Sequence, residues 1–495
     1  MKTNKIRMNL EKLLPKIEEL RWRNHALGEV VGLTEVFREN KALFSVDSIY
    51  DVAHEMENDE GEIDTRLFYL YGFLLASRLE AVSSHIDDKV GRILTNSMVK
   101  VGDSEFPYNM AVAMITREED RIRRVQLRDA IVPVHERINE FLLEKDVIVT
   151  KECESLNENY IETAQVVRLV DLRVLAKKAR AFLNITEEVY KKRMDAFLQK
   201  RMGFGLCDAR RYDIPRLFSG IWWKDLFPRE KMVGRLNEVL LGMGLDPMAD
   251  GRIRIDAEER PKKMPRAACF GIRIPTDVRL SVKPIGGFTD YDALFHEMGH
   301  AQHFANTDQK ELEFRYMGSL AITETYAFTI EGLLEKPEIL IAMTKMSREE
   351  ANEIVRFKAL KKLFVSRRYA AKLLYELEWH SGKIRDPMNT YMGLLGRAYG
   401  FPLEEADGMS YLIDHDDLFY SANYLVAWYL QVLLDRMLTK GFGEKWFQNK
   451  DVGHALTALW RLGQSPLPED LANMLEGVQF DARDYANNLI NRLGQ

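Results

Sequence analysis

Between about residues 10 and 201, glycine and proline are sparse and apolar side chains recur mostly at intervals of three and four. A stretch of that kind has little choice but to be helical, because each such interval returns a side chain to the same helix face. Thr65 to Leu79 and Ile161 to Leu183 carry the pattern most plainly. The first dense punctuation comes at Gly203-Phe204-Gly205, followed by Gly242, Gly244, Pro247, Gly251 and Pro261, and marks a change of architecture. We therefore divide the chain into an N-terminal helical region, 1–202, and a second region, 203–495. Ala267 to Val282 alternates apolar and polar positions around Pro275, as two short strands of a small sheet at about 267–283 would. From Asp290 onward helical periodicity returns, with breaks near Pro387, Gly400 to Gly408, and Gly441 to Gly443. A chain of 495 residues exceeds the roughly 250 to 300 over which one core usually grows, so two lobes with a cleft between them are expected.

A formal charge of -6 gives no footprint for a polyanionic partner, so nucleic acid is not an expected ligand. Arg121, Arg123, Arg124 and Arg128 read as one solvated helix face. Cys153, Cys207 and Cys269 are odd in number and far apart, which suits neither a disulfide framework nor a thiolate metal site and points to a reducing compartment. The first dozen residues are charged throughout, and no run approaches the roughly 18 to 20 apolar residues of a membrane span. A cytoplasmic protein without membrane contact is the expectation; nothing in the patterning specifies an oligomeric state.

Chemistry enters at Phe295-His296-Glu297-Met298-Gly299-His300. The i, i+4 spacing stacks His296 and His300 on one helix face, where both imidazoles reach one metal ion. Glu297, one position on, meets water at that ion without occupying a coordination position, the place of a general base. Thr289 and Asp292 form a capping-box-like pair just ahead of Leu294 and Phe295. A catalytic zinc takes three protein ligands and keeps one position open. A metzincin would carry glycine at 303 and histidine at 306, where this chain has His303 and Asn306, and thermolysin-like or aminopeptidase spacings would put glutamate near 320 or 319, where Leu320 and Ser319 stand. The next acid well placed on a helical segment is Glu324, after the helix start Gly318-Ser319, and it is the expected third ligand. Glu331 lies seven residues further, roughly 10 Å along the same face, too far for one straight helix to give both to one ion. It is either the partner of a ligand histidine or a surface glutamate. His303 points nearly at right angles to the ligand face and is read as packing or surface.

Glu259-Arg260-Pro261-Lys262-Lys263 leading into Ala267 to Val282, then His296 to His300 and Glu324 with Glu331, resembles the thimet oligopeptidase, neurolysin and oligoendopeptidase F family of zinc metallopeptidases over about residues 255–335. The resemblance implies a mostly α, two-lobed, neurolysin-like fold with a small β-sheet beside the active-site helix and a deep central cleft that admits short peptides. It implies one Zn2+ per chain on His296, His300 and Glu324, with Glu297 as the base for water attack on the peptide carbonyl. It also carries over His415 and Tyr420 as hydrogen-bond donors to the oxyanion and Tyr424 as a substrate contact, because His415 to Tyr420 to Tyr424 keeps the family's spacing. Leu462-Gly463-Gln464-Ser465-Pro466 is similar to the family's C-terminal segment. Two departures stand out: Asp416-Asp417-Leu418-Phe419 replaces a glycine-rich loop, and Ala427 stands where larger members have another tyrosine. The related thermostable carboxypeptidases share the seven-residue glutamate step but place His-Glu-Ser-Gln where this chain has Thr323-Glu324-Thr325-Tyr326. The expected function is a metalloendopeptidase of short, unfolded peptides. The alternatives are a metallocarboxypeptidase and a non-catalytic metal- or peptide-binding protein; the retained Glu297 speaks against the last.

Overall fold

Helices dominate, as the spacing predicts, and their ends carry the chemistry that stops and starts them. The computed structural model describes residues 2–29, 32–57, 64–477 and 480–494. Helix Leu172–Met202 opens on Asp171, whose carboxylate accepts from the backbone N–H groups of Arg173 and Val174, and closes on Gly203 at φ 80°. An orphan donor pair at one end and a left-handed glycine at the other are the standard solutions to unsatisfied helix termini. Helix Arg348–His380 starts with a reciprocal capping box between Ser347 and Glu350. It packs against Leu172–Met202 and against helix Ala482–Leu493.

Three apolar clusters form among the described residues. One gathers the N-terminal helices around Ile6, Leu10, Val52, Leu70 and Leu74. A second lies under Val99, Val101, Leu127 and Ile138. The largest runs from Leu79 and Val149 through Phe182, Tyr190 and Leu198 to Leu434, Tyr485 and Leu489. Helix Leu172–Met202 therefore shares its core with the helices of the second region.

The strand pair falls where the alternation put it. Ala268–Arg273 pairs antiparallel with Asp277–Ser281, Ala268 facing Ser281 and Cys269 facing Leu280. A third strand, Ile253–Asp256, which the patterning does not announce, adds in parallel on the other side of Asp277–Ser281. That leaves Ala268–Arg273 on an edge. A second, two-stranded hairpin, Met98–Val101 with Ser104–Pro107, interrupts the expected helical array; four-residue strands are too short for period-two patterning to stand out between long helices.

Two further expectations are corrected. Arg124 is buried against Asp213 at 2.8 Å, and Arg128 pairs with Glu404 at 2.6 Å. This arginine cluster ties the N-terminal helices to the second region. The helix bearing the histidine pair, Phe288–Asn306, has Gly287 at its N-cap and no side-chain cap. Asp290 folds back to accept from the N–H groups of Ile285 and Gly286, while Asp292 is drawn away to Lys358. Cys153, Cys207 and Cys269 are all free thiols. Among the described residues no helix is long and apolar enough to cross a membrane.

Candidate metal centre and its cleft

Helix Leu320–Glu331 lies directly on helix Phe288–Asn306. Gly299 permits the approach: a Cβ there would stand 2.5 Å from Ala327 Cα and 2.8 Å from the Tyr326 carbonyl oxygen. Gly318 does the same at the start of the second helix, where a Cβ would meet the Gln464 carbonyl oxygen at 2.0 Å. Gln464 Oε1 accepts from Gly318 N–H at 3.0 Å, and the Gly463 carbonyl faces His303 Nε2 at 3.1 Å. The segment Leu462 to Pro466 thus braces both helices from behind. His303 is fully buried in this packing, with its ring 4.9 Å from that of Tyr326.

Leu320–Glu331 is buried from Ala321 to Ile330 on every face, surroundings in which a carboxylate is costly unless it meets positive charge or donors. Glu324 sits in the middle of it. Its Oε2 lies 3.3 Å from His296 Nε2 and 3.6 Å from His300 Nε2, and it accepts no hydrogen bond. One ligand atom from each of the three residues falls within 4.8 Å of the others. The opposite ring nitrogens are already engaged: His296 Nδ1 is 2.9 Å from Glu331 Oε2, and His300 Nδ1 is 2.8 Å from Thr323 Oγ1. With Nδ1–H donated outward on each ring, both Nε2 lone pairs are left facing Glu324, the arrangement a cation requires of neutral imidazole ligands.

The charge balance agrees. Burial opposes protonation of His296, yet Glu324 and Glu331 together raise its pKa well above the ordinary range. Burial lowers that of His300 to about 4. Burial would also raise Glu331, but Lys358 and His296 hold it below the usual carboxylate range, with Lys358 Nζ 2.9 Å from its second oxygen. Two buried carboxylates, Glu324 and Glu331, thus face the same imidazole from opposite sides. The residues therefore fit a metal ion on His296, His300 and Glu324. Burial also pushes Glu297 up to about 7, with Glu324 adding to the rise and His296 opposing it.

These groups line one cleft of about 530 Å³. Residues Arg266 to Cys269, at the start of the edge strand, form one side; Lys358, Lys361, Lys362, Val365 and Tyr369, spaced along one face of helix Arg348–His380, form the other. Tyr420, the N-cap of helix Ser421–Phe442, and Tyr424 and Trp428 within that helix close it. Tyr420 Oη donates to Glu324 Oε1 at 3.4 Å. Burial and the Glu324 charge raise the Tyr420 pKa, so the phenol stays a neutral donor. Tyr424 packs its ring on Tyr369 and Tyr420 at 5.4 and 5.5 Å.

His415 is the exception among the residues singled out by sequence. Its ring lies 5.2 Å from those of Tyr375 and Trp379 and 5.9 Å from that of His380, on the wall of a separate 140 Å³ cavity. The structure therefore does not bring His415 to the cleft that holds Tyr420. Thr323, Lys358 and Gly299 are functional neighbours that spacing did not single out. Thr323 had a signal, being a polar residue one position from the expected ligand in an otherwise apolar run; Gly299 had one too, as the lone glycine of the motif.

The fold has relatives. A crystal structure of a candidate peptidase from Chlamydophila abortus superposes with a TM-score of 0.63 at 12% identity, covering 99% of this chain and 89% of that one. No curated protein matches the sequence. The profile of peptidase family M3 matches residues 246–489, which contain the sheet, both metal-site helices and Tyr420. By that match, and in agreement with the resemblance read from its motifs, residues 246–489 of this chain carry the profile of peptidase family M3, a family of metallopeptidases.

Proposed function

We propose that the protein is a zinc-dependent oligoendopeptidase that hydrolyses short, unfolded peptides in the cleft between Ala268 and Tyr420. The observation that carries this reading is the convergence of His296 Nε2, His300 Nε2 and Glu324 Oε2 beside Glu297 and Tyr420 on one cavity wall. Zn2+ held by the three ligands would supply Lewis acidity towards water and towards the scissile carbonyl. Glu297 takes a proton from the attacking water and returns it to the leaving amine; its burial suits it to both steps, since a base poised near neutrality can also act as an acid. Tyr420 donates its phenolic proton to the oxygen that becomes negative in the tetrahedral intermediate. Tyr424 and Tyr369 supply an apolar wall for substrate side chains.

Substrate backbone has a natural partner in the edge strand Ala268–Arg273, which has a neighbour strand on one side only and whose first residues line the cleft. Strand addition reads main chain, so it favours extended peptides of many sequences over folded proteins. Glu331 and Thr323 fix the tautomers of the ligand histidines. In this reading the N-terminal helices and the second region flank one channel, and the protein works in the cytoplasm.

The test is hydrolysis of a mixed pool of peptides of roughly 5 to 20 residues by the parent protein and by Glu297→Gln at equal zinc occupancy, with products read by mass. Internal cleavage that is lost in the variant is the expected result. Release of single C-terminal residues would make the enzyme a carboxypeptidase. An absence of cleavage by the zinc-loaded parent would overturn the peptidase reading in favour of a binding protein.

A further inference from the structure

The segment that delivers Tyr420 to the cleft is unusual in its backbone. Leu418 and Phe419 both adopt left-handed φ, 51° and 55°, on consecutive residues that bear side chains. Such conformations are strained for residues that bear a Cβ and persist only where the surroundings over-determine them. Here the surroundings do. Asp416 N–H donates to Glu376 Oε1 at 2.9 Å, and the Asp416 carboxylate accepts from Ser421 N–H at 2.8 Å and pairs with Lys372 at 2.6 Å. Three further backbone groups are taken by a different part of the chain, the short helix Tyr160–Arg168. Arg168 Nε donates to the Leu418 carbonyl and Nη2 to the Asp417 carbonyl, both at 2.7 Å, so one guanidinium fork holds two successive peptide units. The same guanidinium lies 5.3 Å from the centre of the Tyr420 ring. From the other end of the helix, Tyr160 Oη accepts from Leu418 N–H at 2.7 Å. Tyr160 is itself locked, stacked on His380 at 3.9 Å.

We propose that Arg168 and Tyr160 are positioning residues for the reaction: they hold the left-handed turn at Leu418–Phe419 and thereby aim Tyr420 at the substrate carbonyl. The inference rests on the reading of Tyr420 as the oxyanion donor. Its physical content is that a rigid donor requires a rigid loop. A glycine-rich loop would reach positive φ without help and without a fixed position, because glycine populates that region freely. Asp-Asp-Leu-Phe reaches it only under the clamp, and once clamped it has nowhere else to go. The helix that supplies the clamp lies outside residues 246–489, so part of the catalytic geometry is set by the N-terminal helical region. Arg168 acts through Tyr420 and has no separate task at the reacting atoms.

Two readouts test this on the full-length, zinc-loaded protein. The first is a double-mutant cycle with an internally quenched peptide. Arg168→Met is expected to lower kcat by roughly tenfold or more while KM and zinc content change by less than about threefold. Tyr160→Phe, which deletes one oxygen and preserves packing, is expected to lower kcat less. In a Tyr420→Phe background either change should cost under about twofold, because the residue they act through is already disabled. Arg168→Lys should stay nearer to Met than to the parent, since an ammonium cannot hold two carbonyls as a fork. Losses of equal size with and without the Tyr420 hydroxyl, or full activity in Arg168→Lys, would overturn the proposal.

The second readout needs no turnover. 3-Fluorotyrosine placed at 420 should give one narrow 19F resonance in the parent and a shifted or split one in Arg168→Met and Tyr160→Phe at unchanged melting temperature. Identical resonances in all three would overturn the clamp outright. If Tyr420→Phe alone leaves kcat intact, the oxyanion role of Tyr420 has failed, and the 19F comparison still decides whether the helix positions its ring.

Discussion

Glu331 grips His296 Nδ1 with one carboxylate oxygen, at 2.9 Å, and Lys358 with the other, also at 2.9 Å. It lies seven residues beyond Glu324 on the same helix, which is two turns and therefore the same face. One face of helix Leu320–Glu331 thus provides both a member of the His296–His300–Glu324 group and a hydrogen-bond partner of another member. In Glu331→Gln we expect zinc affinity to fall by roughly 10- to 100-fold, the usual cost of losing such a partner, with activity recovering as zinc is raised. Competition with a chromophoric chelator measures it. Affinity equal to that of the parent would show that His296 needs no such orienter.

Tyr420→Phe removes one donor at the Glu324 side of the cleft. The expected loss is roughly 100-fold or more in kcat with KM little changed, the pattern of an interaction made mainly in the transition state. Steady-state kinetics on one quenched peptide suffices, and a rise in KM alone would make Tyr420 a binding group.

Gly299→Ala pushes a methyl against the backbone of Ala327 and Tyr326, and neither can step aside as a side chain could. The helices must part, at a cost of about 1–3 kcal/mol. Urea denaturation should show the loss, and zinc affinity should fall with it, because the same gap sets the distance from His300 to Glu324.

Acid should unfold the protein through its buried neutral histidines. Burial lowers His135 and His415 to about 4 and His303 and His380 to about 3. In the unfolded chain all four titrate near about 6.5. Below that pH the unfolded chain takes up protons that the folded one refuses, so stability falls as pH drops from about 6.5 towards 4, by up to about 1.4 kcal/mol per unit for each histidine, and these four contribute no slope above it. His296, whose pKa is raised, acts in the other direction: its contribution is complete below about 6.5 and fades at higher pH. Urea midpoints of the metal-free protein between pH 7.5 and 4.5 would reveal the trend, and a flat profile would contradict it.

The grouping of His296, His300 and Glu324 was legible in the sequence because helical geometry is rigid: an i, i+4 pair brings two imidazoles together, and the next acid on a helix is a short search. Glu331 was left between two roles, since spacing gives the face of a helix but not what covers it. The start of the histidine helix was misread, because Asp292 answers to Lys358, 66 residues away, and no local pattern records that pull. His415 shows the same limit. Its distance from Tyr420 along the chain matches the resemblance, yet two left-handed residues between them send the two side chains to different cavities. The strands at 268–281 were readable from alternation, whereas Ile253–Asp256 becomes a strand only because Asp277–Ser281 offers it an edge.

Helix Ala482–Leu493 bears on how the cleft comes together as the chain is made. Tyr485 stacks on Trp428 at 5.9 Å and shares a 2.7 Å hydrogen bond with Ser366, so helix Ala482–Leu493 ties together the two helices that form the aromatic wall. A nascent chain that has emerged only as far as Trp428 already carries His296, Glu297, His300, Glu324, Tyr420 and Tyr424, but not the helix that buttresses the aromatic wall. The aromatic wall of the cleft is therefore fully buttressed only once a segment some 60 residues further along the chain has folded onto it.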